Sequence, residues 1–244
     1  MKTEFSNKQY ESAYPDGIDC HWWSLARTRI VAKIVKEVAR NATSVLEVGC
    51  GRGFVVKGLR DSNIDCYGVE LADITPVEDV KGYIKTATDA VTLSNEEKQK
   101  YETILLLDVI EHISDPVIFL RNLADAFPNL SHIIVTVPAR QELWSNFDDF
   151  YGHYRRYSLE MLEQHSSDLG FTLKHKGYFF HILYFPALFL TKLNKNRQTD
   201  ISAPKGLNKI IHKIVSYVML GDFHIIPKQF VGMSAVGCIS IKNN

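Results

Sequence analysis

The chain has 244 residues, of which 45% are hydrophobic and 23% charged, a composition that favours one sizeable globular domain and excludes a disordered or membrane-embedded chain. Its 28 basic and 28 acidic residues cancel, but from Lys174 onward ten basic residues stand against Asp200 and Asp222 alone, a local charge of +8. That basic third indicates contact with something anionic, or simply a solvated surface. Four scattered cysteines without a C-x-x-C pair argue against a zinc site or a disulfide framework and predict a reducing cytoplasm. The N-terminus lacks an apolar stretch, so no signal peptide is expected.

The first forty residues predict a polar arm followed by a helix. Residues 1–20 contain the turn Tyr14-Pro15-Asp16-Gly17 and are expected to lie outside the core. One-sided apolar spacing predicts a helix over 21–40. A tryptophan at its start, Trp23, is expected to anchor packing. If the helix crosses the mouth of a ligand site, Trp23 or Arg27 reaches that site.

The next stretch, Val45-Leu46-Glu47-Val48-Gly49-Cys50-Gly51-Arg52-Gly53, predicts a buried strand, a glycine turn and then a helix. Such a turn lets backbone N–H groups approach a nucleotide-type ligand. The dinucleotide fingerprint G-x-G-x-x-G does not fit this glycine spacing. The segment resembles motif I, (E/D)-x-G-x-G-x-G, of the class I methyltransferases that use S-adenosylmethionine (SAM). The resemblance implies that Glu47 meets the cationic methionine end of SAM.

Two acids follow the next predicted strands. A strand over 65–69 ends at Glu70, 21 residues after Gly49, the separation expected of an acid that accepts ribose hydroxyls. A third strand over 83–86 leads to Asp89. In the resembled family an acid or amide at that place contacts adenine; the alternative is that Asp89 only caps a turn.

The fourth predicted strand, Thr103 to Leu107, is the most apolar and ends in Asp108-Val109-Ile110-Glu111-His112. Ligands of open α/β sheets bind outside the carboxyl ends of strands, so this segment should border the glycine turn. It resembles motif IV of a small-molecule methyltransferase branch. His112 is expected to be a structural or cofactor-side residue, with a general base or a metal ligand beside Asp108 and Glu111 as alternatives. No metal is the favoured expectation.

A fifth strand over 132–137 precedes a long loop, residues 138–157, which is expected to be functional. Its segment Gly152-His153-Tyr154-Arg155-Arg156-Tyr157 resembles a signature of one methyltransferase branch. His153 is the first candidate for a general base and His112 the second. Arg155 and Arg156 suit an acceptor carboxylate or phosphate, or one of them pairs with Asp148 or Asp149 to fix the loop.

The last third carries a helical insertion before a final strand. The apolar segment from Tyr178 to Leu190 is too short and too interrupted by Pro186 to span a membrane. A polar linker, residues 194–204, leads to a helix with an apolar stripe and several lysines. This insertion is expected to be a lid packed on the sheet, with a dimer face or attachment to an anionic membrane as alternatives.

Together these features predict one α/β domain: a Rossmann-like, seven-stranded, mostly parallel sheet whose last strand is antiparallel, with helices on both faces. The expected parts are an arm (1–20), a SAM-binding core (21–177), the insertion (178–226) and the final strand (227–244). The expected partner is a small-molecule acceptor, for which the basic last third favours an anionic or lipid-linked compound; no nucleic acid is expected, and the chain is expected to be a monomer or a homodimer.

The resemblance implies transfer of the SAM methyl to oxygen or nitrogen of a glycan-related or natural-product acceptor, leaving S-adenosylhomocysteine (SAH). An NAD-dependent oxidoreductase and a non-catalytic SAM-binding protein are the alternatives. The residues expected at the cofactor are Glu47, Gly49, Cys50, Gly51, Gly53, Glu70, Leu71, Asp89, Ala90, Asp108, Val109 and His112. Those expected at the acceptor are Trp23, Tyr151, His153, Tyr154, Arg155, Arg156 and His181.

Overall fold

The structure is a computed structural model that describes residues 6–39, 44–193, 195–200 and 202–241. Its strands are β1 Val45–Val48, β2 Cys66–Val69, β3 Ile84–Lys85, β4 Thr103–Leu107, β5 His132–Pro138, β6 Thr172–Phe179 and β7 Ser234–Ser240. Its helices are α1 Asn7–Ala13, α2 Trp22–Val38, α3 Phe54–Arg60, α4 Asn95–Lys98, α5 Pro116–Ala126, α6 Asn146–Tyr151, α7 Leu159–Asp168, α8 Tyr184–Lys192 and α9 Asn208–Ile225.

All seven strands form one sheet in the order β3-β2-β1-β4-β5-β7-β6, as the fold prediction requires. β1 lies parallel to both β2 and β4, and β7 is antiparallel to β5 and β6. The chain runs from β1 outward to β2 and β3 and then crosses to β4 on the other side of β1, so the winding direction reverses between β1 and β4. Ligands of open α/β sheets bind at such a switch point, outside the carboxyl ends of the strands.

Alternate residues of the central strands divide the core between the two faces of the sheet. Leu105 and Leu107 pack with residues of α2 and α3, whereas Ile104 and Leu106 pack with residues of α5 and α7. Every residue of β4 is buried, as expected of a central parallel strand covered by helices on both faces. This double cover makes β4 a rigid support for the residues at its carboxyl end.

Local signals explain where several helices begin and end. Asp115 accepts a hydrogen bond from the Ile118 N–H, and Pro116 occupies the first turn of α5. Ser158 caps α7 in the same way, and Gly170, at φ 74°, follows its end. The helix predicted over 21–40 ends at Val38, and its predicted last residue, Arg40, lies outside the described residues.

The structure corrects three expectations about segments outside the sheet. The arm is helical at α1, and Ile18 beyond it is buried in the core. The predicted loop 138–157 contains α6. The insertion begins after Phe179, where β6 ends, and α9 packs on α2 rather than directly on the sheet. Within the described residues, no helix combines the length and apolarity that crossing a bilayer requires.

Candidate functional site

The glycine turn joins β1 to α3 at the switch point. Gly49, Gly51 and Gly53 all have φ between 53° and 84°, a region that side chains with a Cβ rarely adopt. At Gly53 a Cβ would also lie 1.9 Å from Cδ1 of Ile84, so any other residue there would strain the backbone and displace the Ile84 side chain. Glu47 lies in β1, two residues before this turn, and its side chain lines the crevice together with Gly49 and Cys50.

The carboxyl group of Glu47 is buried, and among the described residues one of its oxygens has no hydrogen-bond partner that would stabilise a negative charge. Its side chain is 3% exposed, and among the described residues Oε2 has no hydrogen-bond partner. Burial raises the pKa of Glu47 to about 8, although the guanidinium of Arg27 opposes the rise. A cation placed at Oε2 would favour the ionised carboxylate.

Glu70, at the carboxyl end of β2, is held by the turn and by the N-terminal arm. Its Oε2 accepts the Gly51 N–H (2.8 Å), and its Oε1 accepts the Tyr10 hydroxyl (2.7 Å). The Tyr14 ring lies over Gly51, where a Cβ would come within 2.5 Å of its Cζ. The arm therefore covers the turn. The Tyr10 hydroxyl donates to Glu70, the acid that was expected to accept ribose hydroxyls.

The same arm also contacts helix α6 and the linker that follows α8, which border the other side of the crevice. Gln9 Nε2 donates to the carbonyl oxygen of Phe150 in α6 (2.7 Å), and Ser12 Oγ donates to Asp200 in the linker (2.7 Å). Sequence patterns missed Tyr10 and Gln9 because the arm is polar and its contacts join residues far apart in the chain.

At the carboxyl end of β4, Asp108 forms an ion pair with Arg27 of α2. The Asp108 backbone is held at φ 57°, which is uncommon for a residue with a side chain. The Arg27 guanidinium also stacks over the Trp23 ring, 4.2 Å from its centroid. α2 thus crosses the mouth of the crevice, and Trp23 reaches it through Arg27.

The other residues expected at the cofactor lie along the same edge. Asp89 follows β3 and accepts the Val91 N–H (3.1 Å), so it caps a turn, with its second oxygen not used in that bond. Ala90 and Cys50 are buried, whereas Leu71 is partly exposed beside Glu70. Val109 borders the turn, since a Cβ on Gly49 would lie 3.1 Å from its Cγ2.

A cluster of titratable side chains follows Asp108. Glu111 is fully buried, and neither carboxyl oxygen has a hydrogen-bond partner among the described residues. Burial and the charge of Asp108 raise the pKa of Glu111 well above its usual range. Burial and His153 lower the pKa of His112 to about 3. One donor atom from each of Glu111, His112 and His153 lies within 4.8 Å of the others, so the cluster could hold a metal ion.

His153 is oriented by Asp148, the fully buried acid of α6. Asp148 Oδ1 lies 2.9 Å from His153 Nδ1, and its carboxylate accepts two bonds from Arg156, from Nε (2.8 Å) and Nη2 (3.0 Å). Although burial opposes it, these partners lower the pKa of Asp148 to about 2. The arrangement fixes the imidazole and leaves its Nε2 for another group.

Arg156 is 3% exposed and donates to Asp148 and, from Nη1, to the Ala139 carbonyl (3.3 Å), which is the loop-fixing alternative stated above. Arg155 points elsewhere, since its Nη2 donates to the carbonyl of Ser114 (2.8 Å). Tyr154 is exposed, and the buried Tyr151 donates its hydroxyl to the carbonyl of Thr199. His181 is buried beyond β6 with Nδ1 at the Val231 carbonyl and Nε2 without a partner among the described residues.

Arg197 is a positively charged residue on the His153 side of the crevice that the sequence patterns did not single out. Arg197, in the linker after α8, stacks over the Phe147 ring at 4.8 Å, and Phe147 lies 6.5 Å from the His153 ring. Burial and the neighbouring Arg156 lower the pKa of Arg197. The charge of Asp148 opposes this shift, but Asp148 itself pairs with Arg156 and His153, and no carboxylate of the described residues forms an ion pair with Arg197. In the sequence Arg197 is a single arginine in a polar linker, and no pattern distinguishes it from the nearby lysines that would simply face solvent.

Comparison with known proteins adds a family and a fold. The sequence profile described as "Methyltransferase domain" matches residues 22–176. The mitochondrial ubiquinone biosynthesis O-methyltransferase of Arabidopsis thaliana is 27% identical over 104 residues, which cover 38% of this chain and 31% of that protein. This chain therefore matches about a third of the length of that relative.

Two solved structures share the fold at low identity. The plantazolicin methyltransferase BamL, in complex with a desmethyl-plantazolicin analogue and SAH, has a TM-score of 0.55 at 15% identity, over 96% of this chain and 88% of that one. The magnesium protoporphyrin IX methyltransferase ChlM from Synechocystis PCC 6803, with bound SAH, has a TM-score of 0.54 at 13% identity, over 96% and 94%. With the profile covering more than half of the chain, the protein belongs to the methyltransferase-domain family and has the class I SAM-dependent methyltransferase fold that the glycine turn predicted.

Proposed function

We propose that the protein transfers the methyl group of SAM to a hydroxyl oxygen of a small anionic acceptor. The observation that carries this proposal is the Asp148–His153 pair, a built imidazole base, set beside the Asp108–His112 segment that borders the glycine turn. The shared family and fold support methyl transfer as the reaction.

The cofactor half of the crevice is assigned to the groups along the ends of β1 to β4. SAM supplies an electrophilic methyl on a sulfonium and a cationic amino group. Glu47 meets that amino group, since its buried carboxyl has an oxygen without a partner. Glu70 accepts ribose hydroxyls, in place of the Tyr10 hydroxyl that it holds here, and the second oxygen of Asp89 faces adenine. The Arg27–Asp108 pair closes the mouth.

SAM binding should therefore release a proton from Glu47. Because burial raises its pKa to about 8, Glu47 is mostly protonated at pH 7 and must ionise to meet the cation. We expect release of close to one proton per SAM bound at pH 7, falling as the pH rises past about 8. Calorimetry in buffers of different ionisation enthalpy measures this number.

The matched change Glu47→Gln should remove the proton release and weaken binding, whereas Glu96→Gln on the exposed α4 should leave both unchanged. The same proton release in Glu47→Gln would show that Glu47 does not meet the cation.

In the acceptor half, His153 takes the hydroxyl proton at Nε2 while Nδ1 stays bonded to Asp148. A hydroxyl has a proton to lose as it becomes a nucleophile, which is the case in which a base contributes. His112, with its pKa near 3, is too weak a base for this task, so His153 is preferred. The names of the relatives refer to plantazolicin, magnesium protoporphyrin IX and ubiquinone biosynthesis, which supports a small-molecule acceptor.

Arg197 is proposed to hold the negative charge of the acceptor. Its side chain is half-buried, has no ion-pair partner among the described residues, and lies one aromatic ring away from His153. A planar guanidinium suits a carboxylate or a phosphate, and burial makes an unpaired charge costly until an anion arrives.

Arg197→Met should raise KM for a phenolic acid or uronic acid acceptor by roughly tenfold to a hundredfold, since a charged hydrogen bond contributes about 1.5–3 kcal/mol. For the corresponding amide or methyl ester the same change should have little effect. The control Arg121→Met alters an exposed arginine on α5 and should change neither KM. The assay is transfer of labelled methyl from SAM, and equal losses on charged and neutral acceptors would contradict the assignment.

A divalent cation at Glu111, His112 and His153 is the alternative mechanism. The observation in its favour is the fully buried Glu111, both of whose oxygens lack partners among the described residues. Hard carboxylate and imidazole donors suit such an ion, which would orient the acceptor oxygen. Metal content of the purified protein and loss of turnover in chelator decide between the two mechanisms.

A further inference from the structure

Helix α9 is apolar on two faces, but the protein uses only one of them. Its inner face places Ser216, Met219 and Phe223 against α2 and the core. Its outer face presents apolar side chains to solvent at helical spacing: Leu207 just before the helix, then Ile211, Ile214, Val218 and Ile225. A helix that is apolar on its solvent side as well indicates a second, unpartnered contact surface.

Helix α8 and the residues at its two ends also expose apolar side chains to solvent. Large apolar side chains are exposed at the spacing of one helix face, at Ile182, Phe185, Phe189 and Leu193. The exposed Phe230 lies 6.3 Å from the Phe185 ring and extends this apolar area. Asp222, near the end of α9, accepts the N–H groups of His181 and Ile182, so the end of α9 adjoins the start of α8.

The charges around these apolar residues have one sign. Lys209 and Lys213 lie on the flank of the α9 stripe, and Lys192 lies at the end of α8; all three are exposed. The two acids of the segment are engaged elsewhere, since Asp222 is buried under backbone N–H groups and Asp200 accepts the Ser12 hydroxyl. Among the described residues from 182 to 230, Asp200 is thus the one exposed acid, and the other exposed charged side chains are all lysines.

We propose that this surface of α8 and α9 docks on a lipid bilayer that carries anionic headgroups. Apolar side chains enter the boundary between headgroups and acyl chains while lysines meet the phosphates, as in interfacial helices. A second copy of the chain fits less well, because a two-fold contact through this face would bring Lys209 and Lys213 of one copy close to the same lysines of the other. The inference does not depend on the acceptor proposed above.

Co-flotation of the full chain with vesicles tests the proposal. We expect binding to vesicles of phosphatidylcholine with a third phosphatidylglycerol and little binding to phosphatidylcholine alone. Binding should weaken as sodium chloride rises from 0.1 to 1 M, because the Debye length falls from about 10 to about 3 Å. Lys209→Gln with Lys213→Gln should weaken it roughly tenfold or more, whereas Lys81→Gln with Lys100→Gln should not.

The apolar part is tested by Ile211→Asp with Ile214→Asp, which should abolish flotation. Ile118→Asp is the matched control, since Ile118 on α5 and Ile214 on α9 are both 59% exposed. Thermal unfolding of each variant shows that folding is intact, as expected for exposed positions. Absence of vesicle binding by the wild type would overturn the proposal, as would a control that loses as much. A wild-type dimer that the aspartate pair dissolves, without vesicle binding, would assign the surface to a second copy.

Discussion

Asp148→Asn is expected to lower the free energy of unfolding by about 3–5 kcal/mol, because it leaves the buried Arg156 guanidinium without a counter-charge. Arg156 is 3% exposed, and its Nε and Nη2 both donate to Asp148. Asparagine keeps the volume and one acceptor oxygen but removes the charge. Reversible urea unfolding followed by circular dichroism measures the loss.

The adjacent Asp149 provides a matched control. It is exposed, and its carboxylate accepts the Trp144 indole N–H (2.9 Å), a bond that an asparagine oxygen can also accept. Asp149→Asn should therefore change stability by no more than about 0.5 kcal/mol. Adding Arg156→Met to Asp148→Asn should cost less than the sum of the two single changes. Equal effects of the two aspartate variants would show that the buried pair is not the source of stability.

The same pair predicts how stability depends on pH. Asp148 has its pKa lowered from 3.8 to about 2, so the unfolded chain binds the proton more readily than the folded one. The stabilisation is complete above about pH 4 and is lost as the pH falls through about 2. The wild type should thus lose stability over this acid range more steeply than Asp148→Asn does.

The sheet was predictable where local signals are strong. β4 is an unbroken apolar run ending in an acid, and β1 ends in glycines, so both strands and the crevice between them followed from the chain alone. The order of the strands and the antiparallel β7 followed only from the family resemblance. Pairing of β5 with β7 joins residues about a hundred positions apart, and the sequence pattern carries no register for them.

The candidate site was predictable in its acids and histidines but not in their partners. Asp148 and Asp149 are neighbours in the sequence, and only the short helix α6 decides which one turns inward. Mixed aromatic and acidic residues hid that helix inside a predicted loop. The contacts of Tyr10 with Glu70 and of Arg197 with Phe147 bridge distant segments, so neither could be inferred from spacing.

His153→Ala is expected to lower kcat by about 10²–10⁴-fold, the range that a positioned general base contributes. SAM affinity should stay within about twofold, since His153 lies with Asp148 and Phe147 in the acceptor half and not at Glu47 or Glu70. Steady-state methyl transfer and SAM calorimetry measure the two quantities. Added imidazole should restore part of the turnover, because the cavity left by the side chain can hold it.

The exposed His175→Ala on β6 is the control and should leave kcat unchanged. Metal analysis of both variants separates the two mechanisms, because a cation at Glu111, His112 and His153 would be lost together with the His153 imidazole. Equal metal content with a lower kcat, and partial rescue by imidazole, identifies His153 as the base that Asp148 orients. Turnover that is untouched across pH 6–9 would leave Asp148 as a structural acid alone, holding α6 through Arg156.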